Sequence, residues 1–258
     1  MPEQPSEHRL RSGLFTVWVS AWLDGRTSYD EAVARVTGDD EPHRVTGLPG
    51  ADDVPLGWAL SELRSHEPSG LRLVLPVAGD PRGLPAGTEF AAAALEAGEA
   101  SHGSALGFVP LVTVHGSPRG SKTVTVVWRA YDITEPRPDP LQVAEAEYDL
   151  TSALRHAASA LTELDVASWR PEIADAVASL RQAGPLLELP DGHDPRATRL
   201  LSQADRLDVV LRLAATDAPG GAVTGLQAQH RAELLRPLAT AVRRARLAAY
   251  NAQPARRH

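Results

Sequence analysis

Between Leu71 and Ile133 the hydrophobic period passes from two residues to a helical repeat and back to two, and this succession constrains the fold more than any other stretch. Leu71, Leu73, Leu75 and Val77 alternate with Arg72, Val74 and Pro76, the pattern of a strand with one partly wet face. A Gly/Pro loop, 79–87, follows. Thr88 then stands as an N-cap before the Ala-rich stretch Phe90 to Ala100, which reads as helix because Ala loses no side-chain freedom there. Phe108 to His115 and Thr123 to Ile133 read as two further strands. Turn formers and cations in Gly116 to Lys122 make their connection a hairpin loop.

If 71–78 and 108–115 share a sheet through the helix at 88–100, the crossover makes them parallel. Their carboxyl ends, the loop 79–87, the helix N-terminus and the hairpin tip then meet at one edge. Free amides, the helix dipole and nearby cations favour an anion there, so Arg82, Thr88, Arg119 and Lys122 form a candidate anion site. The loop lacks Gly-x-x-x-x-Gly-Lys-Ser/Thr, and Gly79, Gly83 and Gly87 do not make Gly-x-Gly-x-x-Gly. Turn chemistry and an edge-protecting charge account for the same residues.

Upstream, Leu14 to Leu23 is nearly all apolar and suits a buried helix or a strand, with the helix favoured. Arg9 and Arg11 before it imitate a signal peptide, but Glu3 and Glu7 precede them and Asp24-Gly25-Arg26 stands where small cleavage-site residues belong. Ser28-Tyr29-Asp30-Glu31 is a capping box for a short helix ending near Gly38. Asp39 to Asp53, with five carboxylates among Pro and Gly, reads as an exposed acidic loop rather than a metal site. Asp53 and Pro55 open another helix, with Leu56, Leu60 and Leu63 inward and Trp58 and Ala59 broadening that face.

The prolines of 134–140 forbid a continuous helix, and everything beyond has helical spacing. Four helices are expected, opening near Pro140, Pro171, Pro195 and Thr224, the last kinked at Pro237. The expected fold class is therefore α+β: N-terminal helices and a small mixed sheet of about three strands with a hairpin, then a four-helix C-terminal portion. Its expected domains are 1–134, a Pro-rich linker 135–140, a helical bundle 141–253 packed on the first domain, and a basic tail 254–258.

With no cysteine in 258 residues, disulfides, thiolate metal sites and thiol catalysis are excluded, and a cytoplasmic location is the expectation. No run approaches a bilayer span, so a soluble protein is expected. The window Glu99-Ala100-Ser101-His102-Gly103 lacks the first glycine of a nucleophile elbow, and Gly116-Ser117-Pro118-Arg119-Gly120 puts its serine one place early. His230 with Glu233, and Asp191-Gly192-His193-Asp194, are too sparse for a metal centre. No catalytic residue, metal or cofactor is expected.

From Leu226 to His258 seven arginines oppose a single acidic residue, Glu233, although the chain as a whole carries a charge of -7. Arg236, Arg243, Arg244 and Arg246 thus mark a candidate interaction surface for an acidic protein partner, with nucleic acid the less favoured partner. The function expected is that of a non-catalytic binding or scaffold protein, working through helical faces or this basic end. The alternative is an enzyme or binder taking a phosphate- or carboxylate-bearing small molecule at the carboxyl end of the sheet.

Overall fold

A computed structural model describes residues 9–66, 70–116, 122–133, 140–163, 187–216 and 225–252. Two compact units emerge, Met1–Pro140 with Leu189–Gly192, and Leu141–Glu188 with His193–His258.

The first unit is built on a mixed sheet of six strands: β1 (His43–Thr46), β2 (Val54–Pro55), β3 (Arg72–Val74), β4 (Ala100–His102), β5 (Leu106–Gly116) and β6 (Lys122–Asp132). Their order is β2-β1-β6-β5-β4-β3. All neighbours are antiparallel except β1 and β6, where His43 lies beside Val126 and Thr46 beside Arg129. The hairpin β5–β6 is the backbone of the sheet, in unbroken register from Leu106 opposite Asp132 to Gly116 opposite Lys122.

Helices cover both faces. Helix α1 (Arg11–Leu23) is apolar on nearly every side, and it is a helix rather than a strand because almost all of it is enclosed. Its Phe15 stacks on Trp128 at 4.5 Å and meets Phe108 at 5.2 Å, so the even-numbered residues of the hairpin face α1. On the odd-numbered face lies α4 (Glu89–Ala97), whose Phe90 packs with Val109 and Tyr131. Helix α2 (Tyr29–Thr37) packs on α1 and begins as the capping box dictates, Ser28 Oγ accepting the Glu31 amide at 3.1 Å. Helix α3 (Leu56–His66) packs against β1 and β2 through Leu56, Leu60 and Leu63, leaving Trp58 exposed on its other side.

Six strands replace the three expected, and there are seven helices among the described residues. The additional strands are short: β1 and β2 hide in the acidic stretch, and β4 follows directly on the Ala-rich helix. Two to four residues cannot display a period, so their pairing, not their composition, makes them strands. The strand expected over 71–78 shortens to Arg72–Val74, where β4 ends its pairing.

In the second unit α5 (Val143–Glu163), α6 (Pro195–Thr216) and α7 (Gly225–Tyr250) share a core of Ala146, Leu150, Ala157, Leu200, Ala204, Leu238, Val242 and Ala245. Among the described residues three helices stand where four are expected; the helix expected from Pro171, the linker 134–139 and the tail from 253 lie outside the described residues. Helix α7 runs on through Pro237.

Gly107 shows how tightly α4 is seated. A Cβ there would stand 2.6 Å from both the Phe90 ring and the Ile133 side chain. Gly107→Ala should therefore cost about 1–3 kcal/mol by overpacking, read as a lower denaturant midpoint at unchanged m-value.

Candidate functional site

Of the candidate anion-site residues, Thr88 and Lys122 lie far apart. Thr88 caps α4, accepting the Ala91 amide at 3.1 Å and donating to the Pro85 carbonyl at 3.0 Å. Two residues on, Phe90 rests on Gly107, near the first residue of β5. Lys122 pairs with Gly116, the last residue of that strand, about 30 Å away at ~3.3 Å per residue. Arg82 is forked onto Asp80, Nε to Oδ1 at 2.6 Å and Nη2 to Oδ2 at 2.7 Å. Arg119 lies outside the described residues. The polarity explains the separation. Strands β3 and β5 do point the same way, but β4 stands between them and α4 leads into β4, which runs against both. The loop after β3 must therefore return to the far end before α4 begins.

The basic surface is partly spent inside the second unit. Arg246 is only 15% exposed and donates through Nε and Nη2 to Asp205 Oδ1 at 2.7 Å, while Nη1 stands 3.0 Å from Asp208 Oδ2. Burial pushes the Asp205 carboxyl up, and the Arg246 guanidinium pulls against that shift. Arg244 lies 3.8 Å from Glu145 and Arg243 is half-buried; Arg236 is exposed. Counting charge along 226–258 alone omits Asp205 and Asp208, which the fold brings in from α6. The Asp191 to Asp194 loop is likewise occupied: Asp194 accepts the Arg196 amide at 2.8 Å, and a His193 ring nitrogen meets the Ala249 carbonyl at 2.9 Å. Among the described residues no group of three or more His, Asp or Glu side chains could hold a metal ion.

A polar layer that sequence reading missed lies beneath α1. Arg11 Nε donates to Asp40 Oδ2 at 2.8 Å, with both side chains buried, so the acidic stretch is anchored inward rather than solvated there. Thr16 and Ser101 share a hydrogen bond at 2.8 Å, and Glu99 accepts the Ser12 amide at 2.7 Å. Trp128 Nε1 donates to His43 Nδ1 at 3.1 Å. An indole can only donate, so neutral His43 carries its proton on Nε2. Burial lowers its pKa to about 4, Asp40 opposing and Arg9 and Arg11 reinforcing the shift. Ser101 and His102 are adjacent but point to opposite faces, Ser101 to Thr16 of α1 and His102 to Phe90 of α4. They cannot act as a nucleophile and its base.

The hairpin offers a different chemistry. Val124 accepts from the Glu41 amide and the Val126 amide donates to Pro42, so even-numbered residues of β6 turn their backbone groups toward the β1 side. Odd-numbered ones then serve β5, and by the antiparallel register the even residues of β5 turn theirs away from β6. The Leu106 carbonyl obeys this rule, accepting from Gly103. Strand β4 pairs only with Gly107 and Phe108, and Pro110 has no N–H to offer. Beyond it, Val112 and Val114 present backbone donors and acceptors to an edge with no neighbouring strand among the described residues. Leu111, Val112 and Val114 are 49%, 40% and 45% exposed. Residues 105–114 contain no charge, none of the Lys or Glu that usually blunts such an edge.

Two outcomes follow. Because unfolded His43 binds a proton near pH 6.5 and the folded one only near pH 4, stability should fall by about 3 kcal/mol as pH drops through that window. His43→Asn, which keeps an acceptor for Trp128, should flatten this dependence in denaturation curves recorded from pH 7 to 4. Arg246→Ala, leaving Asp205 buried without its partner, should cost about 3 kcal/mol, whereas Arg236→Ala should change thermal stability little.

Two family models match the chain in succession: the N-terminal domain of the Rv1486c-like protein over residues 12–143 and its C-terminal domain over 144–247. Uncharacterized protein Rv1486c of Mycobacterium tuberculosis is 32% identical over 276 residues, covering 92% of this chain and 94% of its own. Uncharacterized protein ML1804 of Mycobacterium leprae is 31% identical, over 92% of this chain and 95% of its own, and uncharacterized protein MAV321 of Mycobacterium avium is 30% identical over the same shares. No solved structure matches the chain. With both domains matched in order, this chain belongs to the Rv1486c-like protein family.

Proposed function

We propose that this chain is a non-catalytic binding protein that engages another polypeptide by accepting an added strand on the outer edge of β5. The observation that carries the reading is the outward row of backbone groups at Val112 and Val114, flanked by exposed apolar side chains. Main-chain hydrogen bonds supply affinity in such a mode, and alternate side chains supply selectivity. A binding role through the basic end of α7 has less to work with, since Arg246 is committed to Asp205 and Asp208. The small-molecule alternative is set aside, because Thr88 and Lys122 stand at opposite ends of β5.

A photo-crosslinking amino acid placed at Val114 of the full chain in cells, with the same group at Thr123 of β6 as control, tests the reading. Adducts with polypeptide are expected from position 114 and not from 123. Equal or absent labelling at the two positions would overturn it.

A further inference from the structure

We infer that the strand added to β5 is the β5 strand of a second copy of this chain, joined through a two-fold axis at Val114. This rests on the binding reading above and gives its partner an identity. The edge is self-complementary in three respects. First, an antiparallel pair about a two-fold must oppose residues of the same parity, and on this edge the even residues turn their backbone groups away from β6, toward no neighbouring strand among the described residues. Second, with the axis at Val114, its N–H and C=O exchange bonds with those of the second Val114, and Val112 falls opposite Gly116. Pro110, which has no N–H, is left outside the junction. An axis at Thr113 would instead bring Gly116 opposite Pro110 and drive the second hairpin toward β4, which already occupies the edge at Phe108. Third, charge is compatible. The apolar, uncharged run meets itself, His115 falls opposite Thr113, and Lys122 sits on β6, one strand removed from the junction.

An acidic partner protein would be favoured had the edge carried its own cations, and a nucleic acid would find no aromatic platform or arginine row on it. The junction displays Val112, Thr113, Val114, His115 and Gly116 with outward peptide groups, which a copy of the same strand answers group for group. So short a junction belongs to the weak class of interfaces, so association should be concentration-dependent, with a Kd in the micromolar range.

The cysteine-free chain makes the test direct. Directly opposed Cα atoms in a hydrogen-bonded antiparallel pair are about 5.5 Å apart, within the span of a disulfide. Val114→Cys should therefore give a covalent dimer on mild oxidation, while Thr123→Cys, a strand further out in each copy, should not. Sedimentation of the unmodified full chain should show a reversible monomer–dimer equilibrium. Val114→Pro, which deletes an outward N–H without touching the bonds to β6, should weaken it at least tenfold. The double variant Val112→Lys with Val114→Lys should do the same by like-charge repulsion, and it decides the matter if the proline variant fails to fold. A monomer at every concentration up to about 1 mM, or equal crosslinking at the two cysteine positions, would overturn the inference. Should the photo-crosslinker at Val114 then join the chain to a different polypeptide, the binding reading would stand and only the second copy would be lost.

Discussion

Trp128 is the point on which the first unit turns. Its ring is stacked on Phe15 of α1, its indole N–H is held by His43 of β1, and its backbone is part of the longest ladder in the sheet. One side chain thus ties a helix, the parallel strand β1 and the antiparallel hairpin together, in a place closed to water. Burial of that aromatic surface supplies the energy, and the single hydrogen bond supplies the orientation. It also forces His43 into one tautomer and makes a charge on its ring costly.

The hairpin that carries Trp128 reaches further than its cover. Helix α4 is seated on the first residues of β5, and β4 pairs only with Gly107 and Phe108. Among the described residues, the remaining half of β5 keeps both an edge without a neighbouring strand and exposed apolar side chains, whereas the β6 residues opposite, Val124 and Val126, are buried beside β1. The two strands have equal length, yet among the described residues β1 lies along β6 from Val126 to Arg129 and no strand lies beside the β5 residues opposite them.

Much of the fold could be read in the residues because the responsible forces are local. Ser28 and Thr88 cap their helices as their side-chain chemistry requires, Leu56, Leu60 and Leu63 point inward at helical spacing, and the two long strands are where alternation places them. The short strands were not legible. His43 to Thr46 looks like acidic loop until β6 lies beside it, and Ala100 to His102, where the Ala-rich helix is expected to end, shows no strand pattern until β3 and β5 flank it. Thr88 and Lys122 are separated on this account: a strand too short to show a period stands between β3 and β5 and sends α4 the other way.

By itself, then, the chain determined many of its local elements and its helix caps, since these depend on neighbours a few residues apart. Tertiary structure alone decided which strands pair, which arginine is consumed by an aspartate from another helix, and which half of β5 is left uncovered. Those are contacts between residues dozens of positions apart, and no periodicity records them.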